Sequence, residues 1–152
     1  FSILQLIGHK KENKLKVGLI TITPIAALLL ILLNARILDD QLMDFLDQSN
    51  TQEQWCIVML IQGKPNHYVA IYYDPLVFKD LSYYDSYGEP PSDDDYELFV
   101  KYLEDNDLPF SIKLKYNTLQ HQEYGTDTCG IFSMFYLIQR IFGLTHKLST
   151  NA

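Results

Sequence analysis

Cysteine is scarce in this sequence, with two in 152 residues, Cys56 and Cys129. Two cysteines cannot build the disulfide framework of a small secreted domain, and no CxxC pair marks a thiolate zinc site. We therefore expect no metal and no other cofactor. The low cysteine content fits a protein that works in a reducing compartment.

Basic residues are also few, with 12 Lys and Arg against 19 Asp and Glu, which gives a net charge of −7 and a pI near 4.9. This balance argues against a nucleic-acid-binding surface over the whole domain. The basic residues are concentrated in residues 1–36, so residues 37–152 carry a net charge of −11. The N-terminal bases form a short patch that either contacts an acidic partner or is simply solvated: Lys10, Lys11, Lys14 and Lys16.

No uncharged run is long enough to span a bilayer easily. The longest, Val17–Leu33, has 17 residues, whereas a transmembrane helix usually needs roughly 18–20. Thr23 and Pro24 are typical of an N-cap and a first helical position, so "PIAALLLILLNA" is predicted to be a short buried helix rather than a membrane-associated segment. The length predicts one domain over residues 1–152, with residues 1–36 as an N-terminal extension that carries this helix.

Beyond this helix the apolar patterns predict an α+β domain rather than a regular βαβ repeat. Continuous or alternating apolar runs predict strands, and apolar residues at helical spacing predict helices. The expected strands are residues 55–61, 67–73 and 110–117, together with 81–88 as a strand that ends in a turn, and the expected helices are residues 36–45, 92–106 and 129–142. This order indicates a hairpin-rich central sheet flanked by helices.

Cys129 lies in "TDTCGIFSMF", at the start of the last predicted helix. Asp127 and Thr128 are plausible caps, and a helix N-terminus favours the thiolate, which is the nucleophilic form of cysteine. Gly130 allows the backbone to approach a substrate closely. The alternative is an ordinary buried thiol, and a Cys-Gly pair alone does not separate the two.

A cysteine nucleophile needs an imidazole to accept its proton and a third group to orient that imidazole. His67 opens a predicted strand directly after a turn, and Asp85 ends a neighbouring predicted strand, so the two can meet at one edge of the sheet. For the oxyanion hole, Gln122 offers a side-chain amide seven residues before Cys129, and Gln120 is its rival. The remaining histidines are poorer candidates for the base: His9, His121 and His146.

These residues, in this order and spacing, resemble the adenovirus-type maturation proteases and the wider clan of SUMO- and ubiquitin-like-protein proteases. Three segments within residues 55–142 carry the resemblance: "NHYVAIYY", "YYDSYGEPP" and "QEYGTDTCGIF". With its two prolines, the second segment resembles the corresponding segment in the proteases of Polinton/Maverick elements and virophages. Where the family usually has Trp after its His, this chain has Tyr68, which keeps an aromatic wall.

The resemblance implies a papain-like-clan cysteine protease fold, with a central mixed sheet flanked by helices and the nucleophile at the N-terminus of a buried helix. It implies Cys129 as the nucleophile, His67 as general base and then general acid, and Asp85 as the orienting acid. Gln122 would share the oxyanion hole with the Cys129 amide. Adenovirus proteases also use DNA and a short viral peptide as cofactors, but the acidity of this chain argues against a DNA requirement unless residues 10–16 make the contact.

The function expected from the resemblance is a viral cysteine endopeptidase that cleaves capsid or core precursors at small-residue, Gly-containing sites during virion maturation. It would act on protein substrates as a monomer, in the virion and the reducing compartment of an infected cell, with no major role for nucleic acid or membrane. Two other functions stay open: a deconjugase for ubiquitin-like modifiers, and a non-catalytic binding domain on the same fold.

Overall fold

The computed structural model describes residues 36–63, 66–106, 108 and 111–150. The predicted apolar helix and the basic patch lie outside these residues, and the prediction of a single domain over residues 1–152 stays a prediction. In the described part of the chain, no helix is long and apolar enough to cross a membrane.

A five-stranded mixed sheet forms the centre of the described structure. Its strands lie in chain order: β1 (Arg36–Leu38), β2 (Trp55–Ile61), β3 (His67–Asp74), β4 (Asp80–Tyr84) and β5 (Lys113–Tyr116). Strands β2, β3 and β4 are antiparallel, whereas β1 runs parallel to β2 and β5 runs parallel to β4. The central strands β2 and β3 are rich in β-branched and aromatic residues and are mostly buried, as suits the middle of a sheet.

Helices cover both faces of this sheet. They are α1 (Leu42–Gln48), which follows a 3-10 turn at Asp39–Gln41, α2 (Asp93–Glu104), α3 (Cys129–Ile141) and α4 (His146–Thr150). Trp55 and Tyr73 lie opposite each other on one face and pack against Tyr102 of α2. Tyr72 points to the other face, where the guanidinium of Arg140 in α3 lies 4.3 Å from the centroid of its ring.

Helix α3 is fixed on the sheet by a buried ion pair and an aromatic stack. Arg140 donates two hydrogen bonds to the carboxylate of Asp80, at 2.9 and 3.1 Å, and both side chains are almost completely buried. Tyr136 stacks on Tyr84, with ring centroids 4.5 Å apart and planes 7° apart. Removing one partner of a buried ion pair costs about 3–5 kcal/mol, so these contacts hold the helix, and with it Cys129, in one position.

The predicted elements are confirmed except at their ends and in one segment. Residues 36–45 were expected to form one helix, but this was wrong, because the first three residues form β1 and the helix starts only at Leu42. Ile37 and Leu38 pair with β2, and a strand partner is a long-range feature that helical spacing does not reveal. The strand expected at 81–88 ends at Tyr84, where Asp85 begins a tight turn.

Candidate active site

The structure brings together two of the residues singled out in the sequence, His67 and Asp85. His67 is the first residue of β3, and Asp85 directly follows β4, the antiparallel neighbour. The distance between His67 Nε2 and Asp85 Oδ1 is 2.7 Å, with 14% of the histidine side chain and 4% of the aspartate side chain exposed. Since Nε2 faces a carboxylate, it carries the proton, and Nδ1 is the nitrogen left to accept one.

Asn117 holds the backbone of Asp85, a role that sequence reasoning missed. Its side chain accepts a hydrogen bond from the Asp85 N–H at 2.9 Å and donates one to the Asp85 carbonyl at 2.6 Å. The carboxylate of Asp85 is oriented in addition by the backbone N–H of Tyr87, which donates a hydrogen bond to Oδ1 at 2.8 Å. An Asn at the last position of the predicted strand 110–117 was the available signal, but only the pairing of β5 with β4 gives it meaning.

An aromatic stack supports the imidazole plane. The rings of His67 and Tyr87 are 4.7 Å apart and 19° from parallel, and Tyr87 in turn stacks on Tyr124 at 4.8 Å. Of the tyrosines that flank Asp85, Tyr83 and Tyr87 line a cavity of about 730 Å³ that is also lined by His67 and Asp85. Tyr84 lies instead on the opposite face, against α3.

Cys129 is the first residue of α3 and is 6% exposed. Its sulfur accepts a hydrogen bond from the backbone N–H of Tyr68, the residue after His67, at 3.4 Å. The roles implied for Cys129 and His67 require the thiol to reach the imidazole, but no hydrogen bond joins these two side chains in the described structure. The sulfur is therefore held beside β3, the strand that begins at His67, by a backbone N–H and not by the imidazole.

The N-terminus of α3 has no side-chain cap. Thr128 occupies the N-cap position but accepts no capping hydrogen bond, so the predicted cap is wrong at this residue. Its hydroxyl lies 3.4 Å from that of Thr126 instead. The first N–H groups of a helix have no acceptor within the helix, and together with the helix dipole they favour an anion at this end. The arrangement leaves donors for a developing oxyanion beside Cys129.

Gln122 is 2% exposed and lies under the loop that precedes Cys129. Its amide nitrogen donates to the carbonyl and to the hydroxyl of Thr126, at 2.9 and 2.8 Å, and its amide oxygen accepts from Ser86 at 2.5 Å. Gln120 donates to the Gln122 carbonyl at 2.7 Å and lines a separate cavity, which His67 and Cys129 do not line. Gln122 is thus bound to Thr126, in the loop that leads into Cys129, whereas Gln120 lines a different cavity.

No group of three or more His, Cys, Asp or Glu side chains in the described residues is arranged to hold a metal ion. The second cysteine, Cys56, lies in β2 with no exposed surface, and burial raises the pKa of its thiol. Of the two cysteines, Cys129 is thus the one that retains some exposure, at 6%, and that lies at a helix N-terminus beside the strand that begins with His67.

No protein-family model and no curated protein matches this chain. Among solved structures it is similar to the ASFV pS273R protease, with a TM-score of 0.58 and 18% identity over 65% of this chain and 37% of that one. A selenomethionine form of that protease gives a TM-score of 0.55 and 19% identity, with 65% and 38% covered. The Legionella pneumophila effector protein RavZ matches with a TM-score of 0.37 and 15% identity, over 66% of this chain and 33% of the other.

At this identity the likeness to the ASFV protease shows a shared fold. It confirms the predicted fold class, an α+β domain whose mixed sheet is flanked by helices. The helix that begins at Cys129 was expected to be buried, but it is only partly so, because Ile131 and Phe135 on its outer face are 64% and 60% exposed. The chain spans less than two fifths of the length of that protease.

Proposed function

We propose that this chain is a cysteine protease, an endopeptidase with Cys129 as its nucleophile. The observation that carries the proposal is the 2.7 Å pair of His67 and Asp85, together with the hydrogen bond that Tyr68, the residue after His67 in β3, donates to the Cys129 sulfur. An imidazole oriented by a carboxylate, next to a thiol at a helix N-terminus, is the arrangement that thiol-dependent acyl transfer requires. The fold shared with the ASFV pS273R protease supports the same reaction class.

The chemistry follows from which nitrogen of His67 is free. Asp85 holds the proton on Nε2, so Nδ1 accepts the thiol proton of Cys129 once substrate binding turns the sulfur from the Tyr68 N–H. The thiolate attacks the scissile carbonyl carbon, and His67 then gives the proton to the departing amine as the thioester forms. A water molecule, deprotonated by His67, attacks the thioester, and the acid product leaves as the thiol regains its proton.

The oxyanion hole in this mechanism combines the Cys129 backbone N–H with the Gln122 amide. Gln122 must release one of its two hydrogen bonds to Thr126 to reach the oxyanion. Because Thr126 lies three residues before Cys129, a small movement of the same loop can transfer the donor from the protein to the substrate. Losing one such donor typically costs about 100- to 1,000-fold in rate.

Cleavage of peptides by the purified chain tests this proposal. A mixed library of Gly-containing peptides is incubated with wild type, with Cys129→Ala and with the matched control Cys56→Ala, and products are identified by mass spectrometry. We expect wild type and Cys56→Ala to cleave and Cys129→Ala to be inactive but folded. Cleavage by Cys129→Ala would contradict the assignment of the nucleophile.

Alkylation by iodoacetamide near neutral pH is a test that needs no substrate. Cys129 should react selectively, because Cys56 is completely buried and burial raises its pKa. Equal reactivity of the two thiols in the folded protein would favour a non-catalytic domain in which Cys129 is a core thiol.

The resemblance in the sequence supports a more specific role, namely cleavage of viral capsid or core precursors at Gly-containing sites during virion maturation. It would take place in the virion and in the reducing compartment of an infected cell. The alternative substrate is a conjugated ubiquitin-like modifier, released after its di-glycine tail. Parallel incubation with capsid precursors and with a modifier conjugate separates the two, since each role predicts cleavage of one substrate class only.

A further inference from the structure

The cavity beside His67 is unusually acidic. It measures about 730 Å³, within the range of ligand pockets, and no Lys or Arg of the described chain lines it. Besides Asp85, five carboxylates from three separate segments line it: Asp39 and Asp40 in the 3-10 turn, Glu89 after β4, and Asp94 and Asp95 in the first turn of α2.

None of these five carboxylates is neutralised by an ion pair with another described residue. The described salt bridges involve only Asp85, with His67, and Asp80, with Lys115 and Arg140. The carboxylates also affect one another: the pKa of Asp95 is raised by burial and, further, by Asp39 and Asp94, against the lowering effect of a hydrogen bond with Ser92. The cavity therefore holds negative charge that the described chain does not balance.

Tyr83 provides a second observation that points to a ligand. Its side chain is 2% exposed and lines this cavity, yet its hydroxyl has no hydrogen-bond partner among the described residues. Burial and then the charges of Asp85, Asp95 and Glu89 raise its pKa, so the hydroxyl stays protonated. A hydroxyl on the cavity wall with no partner in the described chain leaves its oxygen available to accept a hydrogen bond from a cation among the carboxylates.

We propose that this cavity is a specificity subsite that binds a Lys or Arg side chain of the protein substrate; this rests on the protease function proposed above. An ammonium or guanidinium supplies several donors and no acceptor, which matches the carboxylates and the Tyr83 oxygen. The aromatic rings of Tyr83, Tyr87 and Tyr124 suit the aliphatic stem of such a side chain and the face of its cation. A metal ion fits less well, because the described residues include no metal-binding cluster.

The position of the subsite relative to the scissile bond follows from the shared wall. His67 and Asp85 line the cavity, whereas Cys129 does not. The basic residue of the substrate therefore lies near the scissile bond, on the side of the imidazole away from the sulfur. The cavity is open to solvent, so salt can screen its carboxylates. The preference for Lys or Arg should therefore weaken as ionic strength rises.

Peptide cleavage with single-position replacements tests this inference. Gly/Ala-rich peptides carry Lys, Arg, Gln or norleucine at one position at a time, and kcat/KM is measured for wild type, Asp95→Asn and Glu89→Gln. We expect one position at which Lys or Arg is preferred over Gln by about 10- to 100-fold, and a several-fold smaller preference in each variant. The matched control is Asp93→Asn, which removes the same charge from the same helical turn outside the cavity and should leave the preference unchanged.

Binding of the same peptides to the Cys129→Ala protein, measured by fluorescence anisotropy, separates this inference from the protease proposal. Cleavage without any preference for Lys or Arg, or a preference that Asp95→Asn and Glu89→Gln both leave intact, overturns the subsite and leaves the protease function standing. Preferential binding of Lys or Arg peptides that wild type never cleaves supports the subsite and overturns the protease function. Absence of both cleavage and preferential binding overturns both.

Discussion

Replacing Asp85 by Asn and by Ala separates the two contributions that this residue makes to the imidazole. One atom, Oδ1, accepts hydrogen bonds from His67 Nε2 at 2.7 Å and from the Tyr87 N–H at 2.8 Å. Because the Tyr87 backbone can only donate, an Asn at this position must place its amide oxygen, not its nitrogen, at the same point. The tautomer of His67 is therefore preserved in Asp85→Asn, and only the negative charge is lost.

The expected magnitudes follow from this geometry. A charge-assisted hydrogen bond exceeds a neutral one by about 1–2 kcal/mol, so Asp85→Asn should lower kcat by about tenfold. Asp85→Ala removes the acceptor as well, which leaves the N–H groups of His67 and Tyr87 unpaired and the imidazole free to turn. We expect a loss of at least about 100-fold in kcat, and a loss of about 1–3 kcal/mol in the free energy of unfolding.

The assay measures kcat and KM on a cleaved peptide, the rate of Cys129 alkylation, and urea unfolding for both variants. Asp44→Asn, an exposed carboxylate of α1 that does not line the His67 cavity, serves as the charge control. Equal losses in Asp85→Asn and Asp85→Ala would refute the argument that Tyr87 fixes the amide orientation. Full activity in Asp85→Ala would refute the role of the His67–Asp85 pair altogether.

Three further substitutions or conditions give distinct outcomes. In Gly130→Ala the new methyl group meets the Tyr68 ring at 3.5 Å, which is an ordinary contact, so the free energy of unfolding in urea should be equal to that of wild type or up to about 1 kcal/mol higher. If the backbone at Gly130 approaches the substrate, kcat/KM should fall. An unchanged kcat/KM would contradict that approach. Asn117→Ala should lower the free energy of unfolding in urea by about 1–3 kcal/mol, because the N–H and the carbonyl of Asp85 both lose a buried partner. It should also lower kcat more than it changes KM. Unaltered kinetics would exclude a positioning role for Asn117. Burial, followed by the charge of Arg140, lowers the pKa of His146 to about 4 from its usual 6.5. Between these two pH values His146 is protonated in the unfolded chain but not in the folded chain, so the free energy of unfolding should fall by up to about 3 kcal/mol as pH drops from 6.5 to 4. The fall should be smaller in His146→Gln.

The parts of the fold with strong local signals could be predicted from the sequence. The apolar runs of β2 and β3, the turn between them and the apolar helix α3 all follow from pattern and length. Strand β1 could not, because Ile37, Leu38 and Leu42 fit helical spacing and the partner that makes three residues a strand lies more than 20 positions away in β2. The same limit applies to Asn117, whose two hydrogen bonds cross 32 positions to Asp85.

The candidate site shows a similar division. The meeting of His67 and Asp85 was predictable because both residues lie at ends of neighbouring strands. The amide of Gln122 was expected to be free for the oxyanion hole, whereas the structure binds it to Thr126 and Ser86. Spacing along a chain fixes which residues can meet at the end of a sheet, but the partner of a side chain in a loop depends on contacts that spacing does not encode.

The position of the Cys129 thiol depends on where strand β4 stops. The ladder between β3 and β4 ends with Ala70 opposite Tyr84, so two residues earlier the backbone of Tyr68 has no strand on that side. Helix α3 takes the place of the strand: the Tyr68 N–H donates to the Cys129 sulfur, and the Tyr68 carbonyl accepts a hydrogen bond from Ser133, one turn further along the helix. The turn that ends β4 at Asp85 thus both places the carboxylate on His67 and opens the edge on which the thiol is held, which explains why three residues far apart in sequence converge at one end of the sheet.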